Sequence, residues 1–305
     1  MNKVRNVEIN GVPSDLGANI RGANMGPAAI RIAGLVKKIE SIGYKVSDRG
    51  DITVPVRDSL SEAIHQQKFL EPIIDICQEL CDRTYSALKS DSIPLMIGGD
   101  HSVAVGSIAG VSKFYQEQQK DIGVIWVDAH ADINTPDISP SGNIHGMPLA
   151  TLLGDGHASL VNIGYPGAKV KPENVALIAI RNIDSIEKEM VKKSGVNYYT
   201  MRDIDEQGMS AVMKQAIEAT TRNTAGVHLS FDIDGIDPVF APGVSTAVPG
   251  GLSYREAHLL LEMLAETEKM TSLEFVELNP FTDQGPTSAN LTVDLILSAL
   301  GKSIV

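Results

Sequence analysis

The sequence predicts a three-layer α/β/α fold around a central, mainly parallel eight-stranded sheet. Three observations predict it. Short runs rich in Val and Ile alternate with amphipathic segments along the whole of the 305 residues. Several of these runs place apolar residues at consecutive positions, as expected of strands covered on both faces. No Ser/Gly-rich linker, low-complexity tract or internal repeat interrupts the alternation, so residues 1–305 read as a single domain. Strand and helix alternating over the length imply a mainly parallel sheet joined by crossover connections.

In chain order, strands are expected at residues 7–10, 45–47, 93–97, 123–127, 176–180, 197–200, 227–231 and 273–276. Amphipathic helices are expected between and after them at 27–41, 62–90, 103–119, 186–194, 209–221, 254–267 and 290–300. Loops heavy in Gly and Pro, such as 237–251, follow strand ends. In open α/β sheets ligands bind beyond the carboxyl ends of the strands, so chemistry is expected there.

Composition narrows the function. With 43% hydrophobic and 21% charged residues, the chain is an ordinary globular sequence. A formal charge of −12 argues against nucleic acid and anionic membrane as partners. It suits a small cationic partner, although solubility alone also accounts for an acidic surface. The first ten residues lack an apolar leader core, and no apolar run approaches the roughly 20 residues that span a bilayer, so the expected location is cytoplasmic. Cys77 and Cys81, four apart on one helix face, read as small core residues rather than a metal or redox pair.

Acidic and imidazole residues follow four of the expected strands. Gly98-Gly99-Asp100-His101 comes after residue 97, and Asp128-Ala129-His130-Ala131-Asp132 comes after residue 127. Asp232-Ile233-Asp234-Gly235-Ile236-Asp237 follows residue 231, and Glu277-Leu278-Asn279-Pro280 follows residue 276. In extended chain, positions i, i+2 and i+4 share a face, so Asp128, His130 and Asp132 can point together, as can Asp232 and Asp234. Carboxylates at such close quarters need cations to stay ionised. A thiolate-free, carboxylate-rich set favours hard divalent ions, with Mn²⁺ a natural candidate. Six such ligands with bridging carboxylates suit two ions about 3.5–4 Å apart that activate a shared water. Helix or turn capping is the plainer role for any one Asp, and Asp237 before Pro238 fits it.

Among the other histidines, His65, His157 and His258 read as surface or capping residues, and His228 as a packed strand residue. His145 differs: it lies in the loop Ser141-Gly142-Asn143-Ile144-His145-Gly146, where a near-neutral imidazole can shuttle protons.

These segments resemble the arginase branch of the ureohydrolase family. The likeness runs from Gly11-Val12-Pro13-Ser14-Asp15-Leu16-Gly17 and Gly26-Pro27-Ala28-Ala29-Ile30-Arg31 through the clusters above. It continues to Gly250-Gly251-Leu252-Ser253-Tyr254-Arg255-Glu256 and the segment at Glu277. The resemblance implies two Mn²⁺ per subunit. His101, Asp128, Asp132 and Asp232 would hold one, and His130, Asp128, Asp232 and Asp234 the other, with Asp128 and Asp232 bridging. It implies that Asp132 handles the proton of a metal-bridging hydroxide, that His145 is the proton shuttle, and that Glu277 holds the guanidinium. Asn134, Ser141 and Asn143 would bind a substrate carboxylate, and Asp184 its amino group; Asp184 also suits a helix cap. Glu187 and Thr246 complete the substrate contacts that the resemblance implies. The expected reaction is hydrolysis of L-arginine to L-ornithine and urea.

The likeness has one departure. At Ser245-Thr246-Ala247 the family's Gly-Thr-Pro is replaced, with Pro displaced to Pro249, which changes loop stiffness. The sequence also ends at Val305 without the longer tail that some members use between subunits. A trimer or hexamer is expected by analogy. Hydrolysis of agmatine or another guanidino compound, and a non-catalytic metal-binding relative, are the alternatives. A metal-dependent deacylase on a related fold is disfavoured by Glu277.

Overall fold

Eight strands form one sheet in this computed structural model, which describes residues 5–66 and 68–302. Gln67, within the helix expected at 62–90, lies outside the described residues. So do residues 1–4 and 303–305, on which the readings of the chain's two ends partly fall. The strands are β1 (Asn6–Gly11), β2 (Lys45–Asp51), β3 (Ser92–Ile97), β4 (Asp121–Val127), β5 (Val175–Ile180), β6 (Asn197–Thr200), β7 (Thr224–Asp232) and β8 (Met270–Val276). Each contains the strand expected from sequence, extended by up to four residues at an end.

The ladder order is β2-β1-β3-β8-β7-β4-β5-β6, and every pairing between these strands is parallel. Buried apolar residues form three clusters, and alternation along β4 feeds two of them. Ile125 and Val127 of β4 point into one, with Phe231 and Phe275, whose rings stack at 5.2 Å. Val124 and Trp126 point into the other. Helices cover both faces, so the three layers anticipated from sequence are present.

Register determines where the chemistry sits. Ile97 pairs with Phe275, Phe275 with Phe231, Phe231 with Val127, and Val127 with Ile178. The carboxyl ends of β3, β8, β7 and β4 therefore lie level in adjacent strands. Those are the four strands that precede the acidic and imidazole segments.

The helices depart from expectation where backbone conformation breaks them. Gly34, at φ 87°, splits the segment 27–41 into Gly26–Ile32 and Leu35–Ser41. Lys68 and Phe69 adopt φ 53° and 58° and separate Glu62–Gln66 from Leu70–Lys89. Three short helices, Pro148–Leu152, Ala158–Val161 and Met201–Gln207, lie where none was expected; their lengths of 4 to 7 residues give periodicity too little to act on. Helix Tyr254–Glu266 opens with a reciprocal Ser253/Glu256 capping box.

His157 caps helix Ala158–Val161, as anticipated for a capping residue, and His65 is half-buried against Phe69. His258 is not a surface residue: it is 6% exposed, with Nδ1 2.8 Å from Ser298 Oγ between two helices. Cys77 and Cys81 are fully buried free thiols. They pack where Gly106 and Gly110 let helix Ala104–Gln116 approach helix Leu70–Lys89 closely. Burial pushes the Cys81 thiol up to about 11 and Cys77 higher still. Because the thiolate is the reacting form, both should resist a thiol reagent at pH 8 in the folded protein and label fully on unfolding. Mass spectrometry before and after denaturation reads this; rapid labelling of either native thiol would contradict their burial.

Candidate active site

The donors are delivered by sharp turns at the strand ends. After β3, Gly98 and Gly99 adopt φ 75° and 86°, and a Cβ at Gly98 would collide with the Pro27 ring. Asp100 then accepts from Ser102 N and caps the turn His101–Val103, which directs His101 inward. Asp132 and Glu277 are non-glycine residues in the left-handed region, at φ 48° and 60°. Such conformations are costly and recur at functional sites, where the surroundings enforce them. Here Glu277 N is held by Gly99 O, and Asp132 O accepts from Leu149 N.

The side chains converge. His101 Nδ1 lies 3.1 Å from Asp128 Oδ2, 3.1 Å from Asp132 Oδ2 and 3.2 Å from Asp232 Oδ2. His130 Nδ1 lies 3.3 Å from Asp128 Oδ1 and 3.2 Å from Asp234 Oδ2. Two groups, His101/Asp128/Asp232 and Asp128/His130/Asp234, are thus arranged as candidate metal ligands, with Asp128 common to both. Its two oxygens face opposite histidines. The Trp126 ring stacks on His101 at 4.1 Å, and its Nε1 donates to Asp128 Oδ2.

Electrostatics describe a pocket short of positive charge. Burial, reinforced by Asp128, raises the Asp132 carboxyl to about 6. Burial with Asp234 and Asp128 pushes Asp232 well above the ordinary range, and burial with Asp128 raises Asp234. Asp128 goes the other way: burial opposes ionisation, but the adjoining His101 and His130 imidazoles hold it low. Burial would lower His130, yet Asp234 and Asp128 raise it to about 12. Among the described residues, the ion-pair partners of these four carboxylates are histidines alone.

The donor set fits divalent cations. His101 Nδ1 is buried and makes no hydrogen bond, although three carboxylate oxygens surround it. Ligand atoms at right angles about an ion with bonds of roughly 2.1 Å lie about 3 Å apart, which matches this spacing. Oxygen-rich coordination with one imidazole per group selects hard or borderline ions.

Glu277 and His145 adjoin this centre. Glu277 Oε1 accepts from His101 N at 3.0 Å and lies 3.0 Å from His145 Nδ1, while Oε2 is buried without a partner. Burial works against the charge on both, but their contact overrides it, raising His145 to about 9 and lowering Glu277.

The remaining candidates make three sets of contacts. Asn134 Nδ2 reaches Asp184 Oδ2 at 3.5 Å, and its Oδ1 is buried without a partner. Asp184 also caps helix Ser185–Ser194 through Ile186 N and Glu187 N, the plainer role foreseen for it. Glu187 accepts from Ile133 N, and burial with Asp132 raises its carboxyl to about 7. Ser141 and Asn143 stand apart from that trio: Ser141 Oγ accepts from Asn143 N, and Asn143 Oδ1 faces Lys68 Nζ at 3.5 Å. Thr246, despite the altered residues on either side, donates to Asp234 Oδ2 at 2.9 Å. Asp237 is a turn residue, accepting from the amides of Val239, Gly250 and Gly251.

Several supporting residues escaped the sequence reading. Arg181 donates to the carbonyls of Asp234, Gly235 and Val248 and ties the β7 loop to the end of β5. Trp126 and Ser230 touch Asp128 and His101 directly. Ser230 shares a strand face with Asp232, an i, i+2 signal that was present in the sequence.

An all-parallel α/β sheet with these convergent donors beyond its strand ends has the arrangement of a metal-binding α/β enzyme. A profile described as the arginase family matches residues 5–301. The chain is 48% identical over 305 residues to arginase of Brevibacillus brevis, covering 100% of both proteins. Its structure resembles Bacillus cereus arginase with a TM-score of 0.92 at 46% identity, covering 99% of this chain and 100% of that one. It resembles Bacillus caldovelox arginase with a TM-score of 0.94 at 43% identity, again covering 99% and 100%. The chain belongs to the arginase family.

Proposed function

We propose that this protein hydrolyses L-arginine to L-ornithine and urea, with Mn²⁺ as the ion held by each of the two donor groups. The observation that carries the reading is the division of Asp128, whose Oδ2 faces His101 and whose Oδ1 faces His130. A carboxylate shared in this way would suit a pair of adjacent ions, with Asp232 as a second residue that would help to hold both. When bound, such a pair supplies a water-derived nucleophile at neutral pH.

The chain's own residues do the rest. Glu277 Oε2 offers a buried anionic acceptor that orients the planar guanidinium. Asp132, whose Oδ2 lies 3.1 Å from His101 Nδ1 at the candidate centre, accepts a proton at its carboxylate and passes it to the leaving amine. His145, 21% exposed at the side chain, exchanges protons with solvent. Asn134, Ser141, Asn143 and Thr246 would supply polar contacts to the substrate carboxylate and backbone, and Asp184 and Glu187 would meet the ammonium. We read residues 1–305 as a single catalytic domain in a cytoplasmic homo-oligomer, trimer or hexamer, an assembly testable by light scattering.

Urea release from arginine and from agmatine, each with and without added Mn²⁺, tests the reading. Arginine should be favoured by at least roughly 100-fold, because agmatine leaves the carboxylate donors unpaired. Activity should rise on Mn²⁺ addition. A preference for agmatine would move the assignment to that branch, and no urea from either would leave a non-catalytic relative.

A further inference from the structure

We propose that Glu274 is a positioning residue for the His101 imidazole, acting through Ser230, and that it sets the affinity of one cation site separately from the other. The inference rests on the reading of two adjacent cation sites given above.

The chain of contacts is continuous and buried. His101 Nε2 lies 2.8 Å from Ser230 Oγ, and Ser230 Oγ donates to Glu274 Oε1 at 2.7 Å. Ser107 Oγ donates to the other oxygen, Oε2. His228 Nε2 lies 3.5 Å from Oε1, and its Nδ1 lies 2.8 Å from Ser272 Oγ. All five residues behind His101 are 0% exposed. Among the described residues, no Lys or Arg pairs with Glu274. A carboxylate kept so deep in the core without a fixed cation costs stability, and hydroxyl donors offset only part of it.

Proton counting gives the arrangement a purpose. A serine hydroxyl has one proton, and that of Ser230 is committed to Glu274. Ser230 can then only accept from His101, so the ring proton of His101 resides on Nε2. The lone pair is left on Nδ1, the atom surrounded by Asp128, Asp132 and Asp232 oxygens. The negative charge of Glu274 reaches the ring through the serine, orienting it and strengthening it as a donor. His130 lacks this support: its side chain is 24% exposed, with no comparable buried relay behind it among the described residues. The two cation sites are therefore built unequally, and Glu274 acts on the one that contains His101.

The test is a Mn²⁺ titration of metal-free protein, followed by the electron paramagnetic resonance of free Mn²⁺, with thermal melting of each metal-free variant. Glu274→Gln keeps the shape and removes the charge; Ser230→Ala removes the link. Ser272→Ala serves as control, because it breaks a hydrogen bond of the same network without touching the relay. In Glu274→Gln and in Ser230→Ala, one of two Mn²⁺ equivalents should weaken about 10- to 100-fold while the other is unchanged. Ser272→Ala should bind both ions as the wild type does. Unchanged affinities in Glu274→Gln, equal weakening of both ions, or an identical effect in Ser272→Ala would overturn the inference. A wild-type protein that takes up fewer than two ions would instead overturn the reading of the sites, and this inference with it.

Discussion

Asp128→Asn is expected to abolish tight Mn²⁺ uptake and to lower arginine turnover at least a thousandfold, about 4 kcal/mol in transition-state free energy. Asp128 is the residue common to both candidate ligand groups, so losing its charge weakens both ions at once. The same change should not unfold the protein. Asp128 sits among Asp132, Asp232 and Asp234, three carboxylates whose ionisation burial and mutual repulsion already oppose. Removing its negative charge relieves that repulsion but also takes the countercharge from His101 and His130, and an amide has one oxygen for the two donors Trp126 Nε1 and His130 N. The metal-free variant should melt below the wild-type temperature while remaining folded, since the two histidines favour the charged Asp128. Calorimetry beside a urea assay separates the outcomes: substantial turnover, or tight Mn²⁺ uptake by the folded variant, would contradict this role for Asp128.

Glu277→Gln is expected to lower kcat/KM for arginine by roughly 10²- to 10³-fold, since removing one partner of a buried charged pair costs about 2–5 kcal/mol. Its cause differs from that of Asp128→Asn. Glu277 Oε2 is a buried acceptor without a partner, held by a left-handed backbone and by the amide of His101. A neutral amide there offers the guanidinium no countercharge and turns N–H donors toward N–H donors. Mn²⁺ content should stay at the wild-type level, because Glu277 belongs to neither candidate ligand group. Metal analysis with steady-state kinetics checks both halves, and a loss of metal in this variant would remove Glu277 from the substrate role.

Much of this was legible in the sequence for physical reasons. A parallel sheet buries both faces, so runs such as Ile93–Ile97 read as strands even without alternation. Helix limits were less legible where local backbone overrode periodicity, at Gly34 and at Lys68–Phe69. The donor residues stood out because like charges spaced two apart after a strand have few structural uses. Which oxygens meet which nitrogen was not legible, since it depends on strands β3, β4 and β7, far apart in sequence and brought level by register. Glu274 and Ser230 were hidden for a related reason. A polar side chain inside a strand acquires meaning only when the neighbouring strand places its partner, as β8 does for β7. The altered residues around Thr246 change the stiffness of its loop, and its hydroxyl reaches Asp234.

The most direct measurement is an anomalous difference map from crystals of the active protein grown with Mn²⁺. Two peaks roughly 3.5–4 Å apart are expected, both within bonding distance of Asp128 and Asp232, one beside His101 and the other beside His130. A single peak, or peaks remote from Asp128, in protein that releases urea from arginine would contradict the account.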